Sequence, residues 1–178
     1  KLPAGAILLY DGWEMRESAI IGMDGARISS PELKTEGWYS TTVPTTALGA
    51  LVRHGVYPDP YIGLNNMKIP DACDPFNRRY DLEKFSHLPD KANPWSKPYW
   101  FRKTFTAPAD YAGKIVWLNL DGINYRADVW LNGRKLGSHD GSYVPFSLDA
   151  RPALRRGKNM LAVRIRNIFK IHDSQRVL

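Results

Sequence analysis

A single cysteine, Cys73, stands in 178 residues, so the chain can form no disulfide with itself. That leaves the redox compartment open, because a protein from an oxidising compartment need not carry one. One isolated thiol reads as an ordinary side chain rather than a nucleophile. Histidines are also scarce and scattered: His54, His87, His139 and His172 form no group with zinc-site spacing, so each reads as structural, and no metal or cofactor is expected. No apolar run reaches the roughly 18 residues that a membrane-spanning helix needs, so no membrane partner is expected. Helical periodicity is sparse, which argues against an alternating α/β fold, and there is no repeat or low-complexity segment. The start, Lys1-Leu2-Pro3, lacks the charged-then-apolar pattern of a leader, and position 1 is not Met. The expectation is a processed or excised chain, either a secreted or periplasmic protein without its leader or a cloned fragment. Acidic residues are in the minority, 18 against 25 Lys and Arg, for a net charge of +7. A basic chain invites a nucleic-acid reading, but no motif of a known nucleic-acid-binding module is present. Arg164 and Arg166 alternate with Val163 and Ile165, so this charge reads as the wet face of a strand.

What is abundant is β-strand and turn chemistry. Apolar residues make up 43% of the chain, with 14 Gly and 13 Pro. A domain of this size buries roughly 70% of its extended-chain surface. In Arg126-Ala-Asp-Val-Trp-Leu131 the apolar Ala127, Val129 and Leu131 alternate with Arg126, Asp128 and Trp130, the period of a half-buried strand. Asn132-Gly133 follows at once and predicts a type I′ hairpin tip. Further strands are expected at Ile7–Tyr10, Gly37–Val43, Tyr99–Phe105, Ile115–Leu120 and Met160–Arg166, separated by turn signals such as Asp140-Gly141-Ser142 and Gly157-Lys158-Asn159. A short helix is expected over Thr45–His54, capped by Thr45 or Thr46, with Leu48, Leu51 and Val52 on one face. Trp100 and Trp117 are expected in the core. Trp130, out of phase with Val129, should face solvent or a neighbouring domain. Asp121, Asp128, Asp140 and Asp149 lie near turns or strand ends and read as carboxylates bonded to turn backbone.

The fold class expected is all-β: a single domain over 1–178, a β-sandwich with little helix. It is interrupted by a long irregular excursion over 57–98 that holds seven prolines. A loop of that length inside a compact domain either has a use or is a stiffened flap packed on the sandwich.

The motifs, in order, resemble those of the N-terminal sugar-binding domain of glycoside hydrolase family 2. Trp38-Tyr39 is followed by Thr42-Val43-Pro44. His54-Gly55-Val56-Tyr57-Pro58-Asp59-Pro60-Tyr61 leads into Gly63-Leu64-Asn65-Asn66. Then come Tyr99-Trp100-Phe101-Arg102, Leu120-Asp121-Gly122, Ala127 to Gly133, Gly137-Ser138-His139-Asp140-Gly141, Val144-Pro145-Phe146 and Gly157-Lys158-Asn159. The Pro-Asp-Pro-Tyr loop and Trp95 look closest to the exo-β-glucosaminidase and β-mannosidase branch. The resemblance implies a jelly-roll sandwich of the galactose-binding type, followed by an immunoglobulin-like domain and a barrel that holds both catalytic glutamates.

Retaining glycosidases use two carboxyl groups about 5 Å apart. No acidic pair here falls in such a pattern, so no catalytic residue is assigned. The expected function is a non-catalytic domain that packs on the barrel and lends a loop to its sugar pocket. The loop in question is Asp59 to Asn66. An asparagine amide offers both a donor and an acceptor to sugar hydroxyls. The family's loop asparagine, which reaches into the pocket, falls on Asn65, or on Asn66 if the register shifts by one. Asp59 belongs to the same loop, and Tyr61 offers a ring or a hydroxyl. Trp95 is a sugar platform or an interdomain contact. The competing reading of Asn65-Asn66 is a left-handed turn. The family's acidic substrate contact, just beyond the sandwich, has no match before Leu178. Two other functions stay open: an independent carbohydrate-binding module and a nucleic-acid-binding β-domain.

Overall fold

A computed structural model describes residues 3–69 and 97–166. Trp95 and most of the 57–98 excursion lie outside the described residues, as do Cys73, His87 and His172. Eight strands are described: β1 Trp13–Glu17, β2 Tyr39–Thr41, β3 Tyr99–Ala107, β4 Trp117–Leu120, β5 Arg126–Leu131, β6 Arg134–Asp140, β7 Phe146–Asp149 and β8 Gly157–Arg166. Three short helices join them: α1 Ser18–Ile21, α2 Gly25–Ile28 and α3 Ala47–Arg53. One sheet has six strands in the order β2-β1-β3-β8-β5-β6, and β4 pairs with β7 in a second. Every pairing is antiparallel. The architecture is the expected all-β sandwich.

The core lies between the sheets. Met15, Ala127, Val129, Leu131, Leu161 and Val163 point inward from the large sheet and are almost fully buried. Leu118, Phe146 and Leu148 of the small sheet pack against them. The alternation over Arg126–Leu131 thus fixes which face goes in. Asn132 (φ 49°) and Gly133 (φ 88°) form the tip between β5 and β6. Asn132 also braces the tip: its Oδ1 accepts from the Met160 amide at 2.9 Å, and its Nδ2 donates to Ala153 O at 2.8 Å and Asn159 Oδ1 at 2.7 Å. The expected helix is α3, with the Thr46 hydroxyl accepting from the Gly49 amide at 2.9 Å.

Several expectations are overturned. Ile7–Tyr10 is not a strand; the first one begins at Trp13, where inward Trp13 and Met15 alternate with Glu14 and Arg16. The Ile115–Leu120 run yields only Trp117–Leu120, which pairs with β7 in the small sheet. Trp117 is not in the core but 56% exposed, because it points away from the large sheet and nothing among the described residues covers that side. Trp130 lies on the outer face of the large sheet, out of phase with Val129, and is partly buried there: it packs against Trp100, with ring centroids 5.2 Å apart, and under α2. A Cβ on Gly25 would stand 2.1 Å from the Trp130 indole, so glycine is what lets α2 lie there.

The outer face of the large sheet has its own small core, built from Ile28, Trp100 and Ala162 with Leu33, Trp38 and Trp130. The segment from α1 to Trp38 forms a strap over it. Arg102, only 4% exposed, holds this strap. Its Nε donates to Ile28 O at 2.9 Å, and its Nη2 donates to Ser30 O at 2.9 Å and Leu33 O at 3.2 Å. Glu14 lies 3.5 Å from Nη1.

Asp128 is not a turn carboxylate. It is 2% exposed in the middle of β5 and gathers Lys135 at 3.0 Å, Arg164 at 3.1 Å, Arg166 at 3.0 Å and the Ser138 hydroxyl at 2.6 Å. Arg164 and Arg166 are therefore not a freely solvated face. The Arg164 guanidinium also sits 5.6 Å from the Trp100 ring centroid and 5.8 Å from that of Trp130. Burial pushes the Asp128 carboxyl up, but its hydrogen bonds from Ser138, Lys135 and Arg164 outweigh that and hold it well below the usual carboxylate range. Asp149 does bond turn backbone, accepting from the Arg151 amide at 3.0 Å, and Asp140 pairs with Arg126 at 3.1 Å.

Candidate functional site

Strand register places the candidate loop. Glu17 of β1 lies opposite Tyr99 of β3, which lies opposite Ile165 of β8, and Arg126 of β5 faces both Arg166 and Asp140. The end of β1, the start of β3 and the end of β8 therefore share one end of the sandwich, together with the turns 121–125 and 141–145. The 57–98 excursion returns to the sheet at that same end. Its departure is pinned there too: His54 Nε2 is 2.6 Å from Ser40 O, and the His54 ring lies 5.2 Å from that of Tyr39. Burial raises the Tyr57 and Tyr99 hydroxyls, Glu17 adding to the effect, so both stay protonated.

Within the loop, Asp59 builds an Asx turn: its Oδ1 accepts from the Tyr61 amide at 2.9 Å. Its carbonyl accepts from the Ile62 amide at 3.3 Å and from Asn65 Nδ2 at 3.1 Å. Asn65 Oδ1 in turn accepts from Lys68 Nζ at 3.2 Å. A 3-10 turn over Asn65–Lys68 follows. Both ends of the Asn65 amide are thus engaged inside the loop, whereas the exposed Asn66 side chain makes no hydrogen bond among the described residues. Neither asparagine has a left-handed backbone; the positive φ between 59 and 66 falls on Gly63, at 52°. The turn reading of Asn65-Asn66 is therefore wrong, because Gly63 does that work at no steric cost. Tyr61 is 95% exposed, and Ile62 and Leu64 are exposed beside it.

The structure brings Asp59, Tyr61, Asn65 and Asn66 into one loop; Trp95 lies outside the described residues. The bracing role of Asn65 was not anticipated from sequence. The signal available was Asp59 six residues upstream in a Pro-Asp-Pro run. Among the described residues, no group of three or more His, Cys, Asp or Glu side chains is placed to hold a metal ion. None of the helices described is long and apolar enough to cross a membrane.

Residues 82–176 match the family model described as glycosyl hydrolase 2 galactose-binding domain-like. The chain belongs to that family. An exo-β-D-glucosaminidase of Streptomyces avermitilis is 31% identical over 165 residues, which is 91% of this chain and 16% of that protein. A mannosylglycoprotein endo-β-mannosidase of Lilium longiflorum is 32% identical over 163 residues, 89% of this chain and 15% of that protein. The solved exo-chitosanase CsxA of Amycolatopsis orientalis superposes with a TM-score of 0.69 at 25% identity, covering 89% of this chain and 16% of that one. This glycosyl hydrolase 2 domain thus spans about one sixth of the relatives' length.

Proposed function

We propose that this chain is the non-catalytic N-terminal domain of a retaining exo-β-glycosidase, which cleaves terminal β-linked sugars. In this reading it packs by its loop end on a catalytic barrel of the same polypeptide, and loop 59–66 closes one side of the sugar pocket. The observation that carries the reading is the build of that loop. It is stiffened by Asp59 and Asn65, yet it projects an almost fully exposed Tyr61 and an unengaged Asn66 amide. A preorganised loop loses little entropy on binding, and a free amide can both donate to and accept from a sugar hydroxyl. The glucosaminidase and mannosidase relatives support a β-glycoside as the substrate class. Exposed Ile20 on α1, and Ile62, Leu64, Tyr143 and Val144 on turns, supply apolar surface at the same end for domain packing.

In the longer polypeptide, the double variant Asn65→Ala/Asn66→Ala should lower kcat/KM on a terminal β-glycoside by about tenfold or more, as expected for lost hydroxyl contacts plus a loosened loop. Its unfolding midpoint should stay at the parent value. A kcat/KM within about twofold of the parent would count against the loop role.

A further inference from the structure

The small sheet has two faces of opposite character. Leu118, Phe146 and Leu148 turn inward and pack on the core. The alternate residues turn outward. Register pairs Trp117 of β4 with Asp149 of β7, and Asn119 with Ser147, so these four side chains share the outer face. Trp117, Asn119 and Ser147 are exposed, and Ile115, two residues before Trp117, is exposed as well. The polar groups are held in place. Ser147 Oγ donates to Asn119 Oδ1 at 2.7 Å, which fixes the amide and leaves its Nδ2 without an acceptor among the described residues. Arg151 forks Asp149, its Nε donating to Oδ1 at 2.9 Å and its Nη2 to Oδ2 at 2.6 Å. The face thus carries one indole, one oriented amide, one hydroxyl and one internally neutralised ion pair.

We propose that the outer face of the small sheet is an ancillary platform for an uncharged, extended β-linked glycan, with one pyranose lying on Trp117 and the next bonded by Asn119 and Ser147. An indole supplies a large, rigid apolar surface at little cost in side-chain entropy, and the C–H face of a pyranose matches it. Asn119 stands two residues along β4 from Trp117, roughly 7 Å away, which is the scale of one sugar. There the Asn119 Nδ2 can donate to a hydroxyl and Ser147 Oγ can accept from one. Glycans with equatorial linkages run as flat ribbons, which suits a flat pair of strands. Charge selects against the alternatives: Asp149 and Arg151 cancel, so the face offers a polyanion no net attraction. Area argues against a protein partner, because a stable interface covers about 800 Å² on each side with an apolar centre, and the exposed apolar side chains here are Trp117 and Ile115 alone. The platform shares no residue with loop 59–66, so it does not rest on the loop's role in catalysis.

The test is titration calorimetry of the longer polypeptide with its sugar pocket filled by a non-hydrolysable analogue of a terminal β-linked sugar. The probes are cellohexaose and mannohexaose, with an oligogalacturonate as the charged control. At least one neutral hexaose should bind, and more tightly than the oligogalacturonate. Trp117→Ala should weaken that binding about tenfold through loss of the stacking face, and Asn119→Ala about threefold through loss of one hydrogen bond. Both side chains are exposed, and circular dichroism checks the fold of each variant; Trp117→Thr, which suits an exposed strand position, serves should the alanine variant misfold. Neither substitution should move kcat/KM on a small soluble β-glycoside, which separates this platform from the pocket loop. No binding of either hexaose (as when a further domain covers the face), equal or tighter binding of the oligogalacturonate, affinity unmoved by the Trp117 variants, or kcat/KM lowered by them would each overturn the proposal.

Discussion

Arg102→Met should cost about 4 kcal/mol of unfolding free energy, since it removes three charge-assisted hydrogen bonds worth ~1.5–3 kcal/mol each before compensation by water. The carbonyls of Ile28, Ser30 and Leu33 would lose their donor. Burial makes it harder to keep the Arg102 guanidinium charged, and Glu14 opposes that, so the side chain remains a cation that needs these acceptors. The strap should then loosen over Trp100, which is fully buried beneath it. Urea titration followed by tryptophan emission should show a lower midpoint and a red-shifted folded baseline. A loss below about 1 kcal/mol would mean that apolar packing holds the strap without Arg102.

Asp128→Asn is expected to cost about 3 kcal/mol, the low end of the ~3–5 kcal/mol for removing one partner of a buried ion pair. The low end applies because Lys135, Arg164 and Arg166 keep part of their own exposure and can rehydrate. The same residue sets a pH dependence. Its folded carboxyl titrates below the unfolded one, so its contribution is complete above the unfolded value of about 3.9 and fades as pH falls below it towards the folded value. Stability of the parent chain should thus be flat near neutrality and fall below about pH 4, and Asp128→Asn should flatten that fall. A parallel fall in both proteins would show that other carboxylates govern acid unfolding.

The strands were legible wherever one face is polar and the other buried. Arg126–Leu131 reads at sight because Ala127, Val129 and Leu131 take the core face with polar neighbours between them, and Asn132-Gly133 fixes the turn. The same rule was present at Trp13–Glu17, but the apolar run Ile7–Tyr10 just before it drew the strand to the wrong place. Trp117 misled for a related reason. The run Ile115–Leu120 is apolar but for Asn119, and that one polar residue sets the phase: it puts Trp117 on its own outward face and Leu118 and Leu120 on the inward one. Asp128 was misread because its partners come from cross-strand register: Arg164 lies opposite it on β8 and Ser138 opposite it on β6. Such pairings are invisible until the sheet order is known. In the candidate loop, the Pro-Asp-Pro-Tyr run and Gly63 marked where the chain turns. The bond from Asn65 to the Asp59 carbonyl depends on how the loop closes, which composition alone does not give.

In the proposed function, the loop end joins the sandwich to the chemistry of the longer protein. Hydrogen–deuterium exchange on that longer polypeptide, with and without a non-hydrolysable analogue of a terminal β-linked sugar, tests this most directly. Amides in 57–69 should exchange more slowly with the analogue bound, while those in 107–116, at the far end, should not change. Unaltered exchange across 57–69 at saturating analogue would contradict a loop that closes the sugar pocket.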